Sequence, residues 1–308
     1  MEKQSVSHLP KIFITGISGF LGTNLLRELA GRYDIYGTFW SHPLNHCDVT
    51  AVKLDITDSR QLSELIAKIQ PNIIIHTAAV SSPDYCEQNR DRAWQINVTS
   101  TRTLAAAAQK NNSRLVFISS DMVFDGSAGM FTESDPTGPV NYYGQTKSEG
   151  EVSCLNDCRD AVILRITLQY GCGSATTQSF SDWLINQLRA GKPANLFHDQ
   201  FRSPTYAADT ARGIERAALE SKAGMVYHLA APDRIDRYAF GQIVAQQYGF
   251  SPDLLIKTPM NSIPGAADRP RDVSLDGSRF TNELNFHPKG VHDGIAAMAH
   301  IHASQENP

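Results

Sequence analysis

The stretch Gly16-Ile17-Ser18-Gly19-Phe20-Leu21-Gly22 constrains this chain more than any other. It follows Lys11 to Thr15 (KIFIT), a short β-branched apolar run that reads as a buried strand. It opens the segment Gly19 to Ala30, in which Phe20, Leu21, Leu25, Leu26 and Leu29 recur at helical spacing. A glycine-rich turn between a strand and a helix lets the backbone bend sharply and a phosphate come close. The free N–H groups and dipole of the helix then meet the negative charge. The spacing is G-x-x-G-x-x-G rather than the commoner G-x-G-x-x-G, so the reading depends on the strand before it and the helix after it. It predicts a dinucleotide whose pyrophosphate lies over Gly16, Ser18, Gly19, Phe20, Leu21 and Gly22.

The chain continues in the same rhythm. Asp34 to Phe39, Ala51 to Leu54, Asn72 to His76, Arg114 to Ser119 and Ala161 to Ile166 read as strands. Between them, Asp58 to Ile69 (capped by Asp58), Arg90 to Lys110 and Gly144 to Leu155 read as helices. Alternating strands and helices predict an α/β fold, a doubly wound Rossmann-type parallel sheet. After Thr167 the segments shorten and prolines multiply, apart from one helix, Ala207 to Glu220, that returns to the sheet. The expected division is a dinucleotide-binding domain of 1–166 plus about 204–224, and a smaller mixed α/β substrate-binding lobe of about 167–203 and 225–308.

Bulk properties exclude several classes. The 308 residues carry a net charge of −4, which draws the chain neither to nucleic acid nor to an anionic membrane. No apolar run approaches the roughly 18 residues a span needs. Residues Met1 to Pro10 lack the apolar core of a signal peptide and read as a disordered lead-in. The five scattered cysteines argue against a disulfide framework and for a reduced, cytoplasmic protein. Cys154 and Cys158 lie one helical turn apart, but no further Cys or His pair completes a tetrahedral site, so no metal is expected.

NAD sites usually place an acid after the second strand, to hold the ribose 2′-hydroxyl. Here that strand ends Gly37-Thr38-Phe39-Trp40-Ser41-His42, with no acid. A 2′-phosphate beside Ser41 would be tolerated, so NADP(H) is expected ahead of NAD(H). Asp55 and Ile56, after the third strand, are placed to meet the adenine.

Tyr143 and Lys147 form a Y-x-x-x-K pair on one helical face. Of ten tyrosines, only Tyr143 has a lysine four residues on. A cationic Lys147 favours the phenolate and is expected to bring the phenol toward a pKa useful for proton transfer. Ser119 and Ser120 stand at the end of the fifth strand, where ligands of doubly wound sheets sit. Ser120, Tyr143 and Lys147 have the residue types and placement of the short-chain dehydrogenase triad.

The resemblance extends over nearly the whole chain. TGISGFLG (15–22), LDITD (54–58), IIIHTAAVSSPDYCE (73–87), the NVTSTRTLA run from Asn97, FISSDMVFDG (117–126), PVNYYGQTKSEGE (139–151), DQFRSPTYAAD (199–209) and RPRDVSLD (269–276) are its matching stretches. In this combination the chain resembles the extended short-chain dehydrogenases/reductases and, among them, the dTDP-4-dehydrorhamnose reductase family. That resemblance implies reduction of a 4-keto group on a nucleotide-linked 6-deoxysugar by NAD(P)H. Tyr143 would protonate the alkoxide, with Lys147 on the nicotinamide ribose and Ser120 in the place of the family threonine. Ala78, Ala79, Val80, Asn97 and Ser119 would face the cofactor. Ser81, Met122, Phe124, Arg202 and Arg269 would face the substrate, and Arg269, with Arg202 the weaker candidate, would hold its diphosphate. Phe180 and Trp183 are candidates for the sugar or base pocket, or for core packing.

Two departures bear on this. Met122 stands where the family has a tyrosine that faces the sugar, which leaves the identity of the sugar open. Asn24 stands where some members carry a glutamate that bridges a dimer through magnesium, so a homodimer, if formed, is not expected to be metal-bridged. The regulatory subunit of methionine adenosyltransferase resembles the same family and shares the ISSD, VFDG and RPR elements. A regulatory role through a partner enzyme therefore stands as the alternative, with a sugar-nucleotide epimerase behind it.

Overall fold

In the computed structural model, described for residues 9–44, 46–174, 176–262 and 265–306, seven parallel strands form the central sheet. They are β1 (Lys11–Thr15), β2 (Asp34–Phe39), β3 (Val49–Lys53), β4 (Ile73–His76), β5 (Arg114–Ser120), β6 (Ala161–Ile166) and β7 (Val226–Leu229). Their order across the sheet is β7-β6-β5-β4-β1-β2-β3. The order reverses at β1, and that switch point is where doubly wound sheets bind ligands. The lead-in expected at the N-terminus falls almost wholly on residues 1–8, outside the described residues.

The unbroken apolar runs are explained by burial on both faces. Successive side chains of a strand point to opposite sides, and here each side has its own core. Ile12 and Ile14 pack on one side with Ile73, Ile75, Val116 and Ile118. Phe13 packs on the other with Ile74, Leu115 and Phe117. Helices α1 (Phe20–Leu29) and α5 (Ala207–Glu220) cover the first side. Helices α2 (Ser59–Ile69), α3 (Ser100–Asn111) and α4 (Tyr142–Asp157) cover the second. Asp58 caps α2 by accepting the Gln61 N–H, as the sequence pattern implied.

Three differences from the sequence reading concern the sheet and its connections. The lobe boundary expected at 225 cuts off β7, which pairs with β6 in register Val226 to Ile163 and completes the main sheet. Ser278–Leu284 also returns to that sheet, burying Phe280 and Leu284 against the first core. The helix expected over 90–110 is interrupted by a π-helical turn, Gln95–Thr99, which carries Asn97. Such turns often mark functional sites.

A further hydrophobic core lies around Leu184, Leu188, Leu196, Phe240, Val244 and Ile295. Helix α6 (Arg237–Tyr248) and the helices Phe180–Arg189 and Val291–Glu306 contribute to it. Among the described residues, no helix is long and apolar enough to cross a membrane.

Candidate active site

One cleft of about 730 Å³ runs along the C-terminal ends of the strands, from the glycine loop to the lobe. Its size is that of a typical small-molecule site. At one end, Gly16 adopts φ +68°, a left-handed conformation that favours glycine. A side chain at Gly22 would run into the Gly16 carbonyl and Ile17, so the loop packs directly on the start of α1. Gly19 caps α1 with no side-chain hydrogen bond and no acid follows in the first turn. The open N–H groups and positive dipole end therefore face the cleft without internal competition. A dinucleotide pyrophosphate fits this cradle.

Further along, Trp40, Ser41 and His42 line the wall beyond β2. The Lys53 ammonium lies 5.7 Å from the centre of the Trp40 ring, so this corner is cationic rather than acidic. Asp55 and Ile56 line the cleft opposite. Asp55 accepts from Thr57 and Arg92. Burial pushes its carboxyl up, but those hydrogen bonds and the Arg92 charge outweigh it and hold the group below the usual carboxylate range.

The middle of the cleft is built by α4 and the end of β5. Asn141 caps α4 by accepting the Gly144 N–H at 2.9 Å. Gly144 lies against the Met122 carbonyl, where no side chain could fit, and a methyl group at Gly150 would come 2.6 Å from the Phe117 ring. This close seating brings Tyr143 and Lys147, one turn apart, beside Ser119 and Ser120, and all four line the cleft. Lys147 is buried with its ammonium 4.1 Å from the centre of the Phe117 ring. Ser119 donates to Glu151 at 2.5 Å, and Glu151 is paired through both its oxygens with Arg165. Ser120 donates to Asp121 at 3.1 Å and accepts the Met122 N–H. Arg202 in turn clamps Asp121 through two hydrogen bonds of 2.5 Å.

The pKa order differs from the one expected: the phenol lies above the lysine. Burial pushes the Tyr143 phenol up to about 12, against the lowering influence of the Ser120 hydroxyl. Burial brings Lys147 down to about 8. Desolvation, not the lysine charge, dominates both groups.

The cleft also contains Ala78, Ala79, Val80, Ser81, Met122, Arg202 and Arg269. Asn97 and Phe124 are not among its walls. Asn97 is buried behind it, where its side chain bonds both the N–H and the carbonyl of Val80 and donates to Thr146. It ties the loop after β4 to α4. Phe124 is turned into a small core by the 3₁₀ turn Asp121–Val123 and stacks on Phe131 at 4.4 Å. Phe180 and Trp183 stack on each other outside the cleft, Phe180 against Phe240. Arg269 lines the cleft and pairs with Asp84 at 2.7 Å. Asn24 donates to the Phe20 and Cys172 carbonyls. Cys154 and Cys158 are buried in the second core.

Among the described residues, four buried side-chain polar atoms have no partner: Thr38 Oγ1, Gln169 Oε1, Gln200 Oε1 and Arg237 Nε. All four residues line this cleft. Unpaired buried polar groups are costly and call for an explanation. None of the four was legible as a site residue, since each acquires its place through contacts distant in sequence.

Fold and cleft together define an α/β protein of the Rossmann type with a tyrosine–lysine pair facing a dinucleotide cradle. Residues 10–303 match the family described as RmlD substrate binding domain, and the chain belongs to that family. It is 30% identical over 291 residues to a probable low-salt glycan biosynthesis reductase of Haloferax volcanii, covering 93% of this chain and 96% of that protein. It is 30% identical over 276 residues to the methionine adenosyltransferase 2 subunit beta of Bos taurus, covering 88% of this chain and 81% of that protein. A crystal structure of dTDP-4-dehydrorhamnose reductase from Bacillus anthracis in complex with NADP superposes with a TM-score of 0.85 at 26% identity, covering 95% of this chain and 99% of that one.

The cofactor corner generates a first prediction. Replacing Ser41 with aspartate places a carboxylate where the second strand ends. The ratio of kcat/KM for NADPH to that for NADH is expected to fall by about tenfold or more, the effect of about 1.4 kcal/mol or more of added charge repulsion. Steady-state kinetics with the two cofactors checks it.

Proposed function

We propose that this protein is an NADPH-dependent reductase of the 4-keto group of a nucleotide-linked 6-deoxysugar. The observation that carries the reading is the continuous cleft in which the Tyr143 phenol and Ser120 hydroxyl lie between the glycine cradle and a group of arginines. The relatives that are named reductases, and the superposing NADP complex, support it.

The glycine loop would hold the pyrophosphate of a reduced nicotinamide dinucleotide, which when bound would supply the hydride. Tyr143 supplies the proton to the substrate oxygen. A phenol raised to about 12 keeps its proton at neutral pH, yet gives it readily to the more basic alkoxide of a sugar. The Ser120 hydroxyl turns from Asp121 to the carbonyl oxygen and fixes its position. The Lys147 ammonium stabilises the phenolate left after transfer and donates to ribose hydroxyls of the cofactor. The Arg202–Asp121 pair holds the backbone and carboxylate beside Ser120. Met122 gives the sugar an apolar contact. To the same reading belong a homodimer and a cytoplasmic location, the latter in keeping with cysteines that are free.

The relatives named methionine adenosyltransferase 2 subunit beta favour a second reading, in which the chain binds a dinucleotide and acts through a partner enzyme. A dTDP-4-keto-6-deoxysugar assay with NADPH separates the two. Tyr143→Phe is expected to lower kcat by about a hundredfold or more, the scale of a lost general acid, with NADPH affinity retained. Unchanged kcat would remove Tyr143 from the chemistry. Turnover absent from the unmodified protein, with NADPH bound, would favour the regulatory reading.

A pH dependence also follows. Lys147 is charged below about 8 and neutral above it, so kcat/KM for NADPH is expected to fall as pH rises through that value. Lys147→Arg keeps the charge and is expected to remove this fall, whatever its effect on the maximal rate.

A further inference from the structure

Two residues along a strand and one turn along a helix cover nearly the same distance, about 6.7 Å and about 6 Å. Strand β5 and helix α4 use this match. Phe117 and Ser119 point to the same side of β5, and Lys147 and Glu151 lie one turn apart on α4. Ser119 meets Glu151 at 2.5 Å. Phe117 meets Lys147, whose ammonium lies 4.1 Å from the ring centre. A buried lysine is ordinarily paired with a carboxylate or a carbonyl oxygen. Lys147 is only 3% exposed, yet among the described residues its ammonium has no such partner. Glu151, the next carboxylate along the helix, is committed through both oxygens to Arg165 of β6. The ring under the ammonium is held in place. Phe117 is fully buried, and a methyl group at Gly150 would come 2.6 Å from its tip.

We infer that Phe117 is a positioning residue of this site: the face of its ring holds the Lys147 ammonium beside Tyr143 and keeps it charged. The inference deepens the reductase reading, on which the role of the ammonium at the phenolate and the ribose rests. An aromatic face attracts a cation through its quadrupole, most strongly where water is excluded. It takes none of the three N–H donors of the ammonium. A carboxylate in the same place would engage those donors and compete with the phenolate and the ribose hydroxyls. The other charged and titratable groups around the ammonium leave this task to the ring. On α4, burial keeps Cys154 a neutral thiol and pushes the Tyr143 phenol up to about 12. Glu151 is offset by Arg165. His76 of β4, whose ring centre lies 5.7 Å from that of Phe117, is kept neutral by burial. Asp121 is offset by Arg202 and acts on Tyr143. Burial pulls Lys147 down to about 8, so a modest change in what faces the ammonium decides whether it is charged near neutral pH.

The test titrates Lys147 itself. The full chain, isotope-labelled at the lysine ε-carbon, is followed by NMR as pH is raised, with Lys147→Arg identifying the resonance. Calorimetry gives NADPH affinity over the same pH range. In the unmodified protein the Lys147 midpoint is expected well below that of an ordinary lysine, with NADPH binding weakening through it. Pentafluorophenylalanine in place of Phe117 keeps the shape of the ring and removes its negative face. It is expected to lower both midpoints by about one unit or more, the scale of a desolvated cation–π contact. Should that chain fail to fold, a difluorinated ring decides, with a smaller shift in the same direction. Midpoints that stay or rise overturn the inference. A lowered Lys147 midpoint in a protein that turns over no keto-sugar nucleotide upholds the inference and removes the reductase reading. Turnover of such a sugar with unmoved midpoints overturns the inference and leaves the reductase reading standing.

Discussion

The contact between helix α4 and the end of strand β5 is the constraint on which the site depends. Gly144 meets the Met122 carbonyl and Gly150 meets the Phe117 ring, each without room for a side chain. A larger residue at either position pushes the helix outward and takes Tyr143 and Lys147 away from Ser120. Interiors packed at this density shift rather than compress. Asn97 fixes the same helix from the other side, through Thr146, and joins it to the loop that carries Ala78, Ala79 and Val80. The dinucleotide cradle and the tyrosine–lysine pair are thus parts of one packed unit.

Charge is handled in the same economical manner. The Glu151–Arg165 pair lies just behind the cleft, and Ser119 points into it. The Asp121–Arg202 pair lies at the cleft wall and engages Ser120. Both pairs are buried and both are hydrogen-bonded through both carboxylate oxygens, which is the condition under which a buried ion pair is tolerated. Each orients one of the two adjacent serine hydroxyls. Arg237, which also lines the cleft, has a buried Nε with no partner among the described residues.

Much of the architecture was legible in the sequence because it is locally encoded. Strands such as KIFIT and NIIIH are apolar on both faces, and Asp58 announces the helix it caps. β7 was not legible as part of the sheet, since VYHL is short and its partner strand lies some sixty residues earlier, paired as Val226 with Ile163. The resemblance implied that Phe124 faces the substrate; after the 3₁₀ turn Asp121–Val123 it stacks on Phe131 instead of lining the cleft. Asn97 was read close to the site, and its amide bonds Val80 and Thr146 behind the cleft. Arg237 belongs to no local pattern, and Phe180, which its guanidinium overlies, is brought to it only by the fold. The Tyr143–Lys147 spacing was informative about position and misleading about electrostatics, because burial cannot be read from a four-residue interval.

The central claim is that this cleft carries a hydride to the 4-keto carbon of a nucleotide-linked deoxysugar while Tyr143 supplies the proton. Its most direct measurement uses NADPH deuterated at the transferable position of the nicotinamide, with a dTDP-4-keto-6-deoxyhexose as acceptor and mass and NMR analysis of the sugar. The account predicts a single deuterium on C4 of the reduced sugar. A protein that binds both molecules and leaves the sugar unlabelled would contradict it.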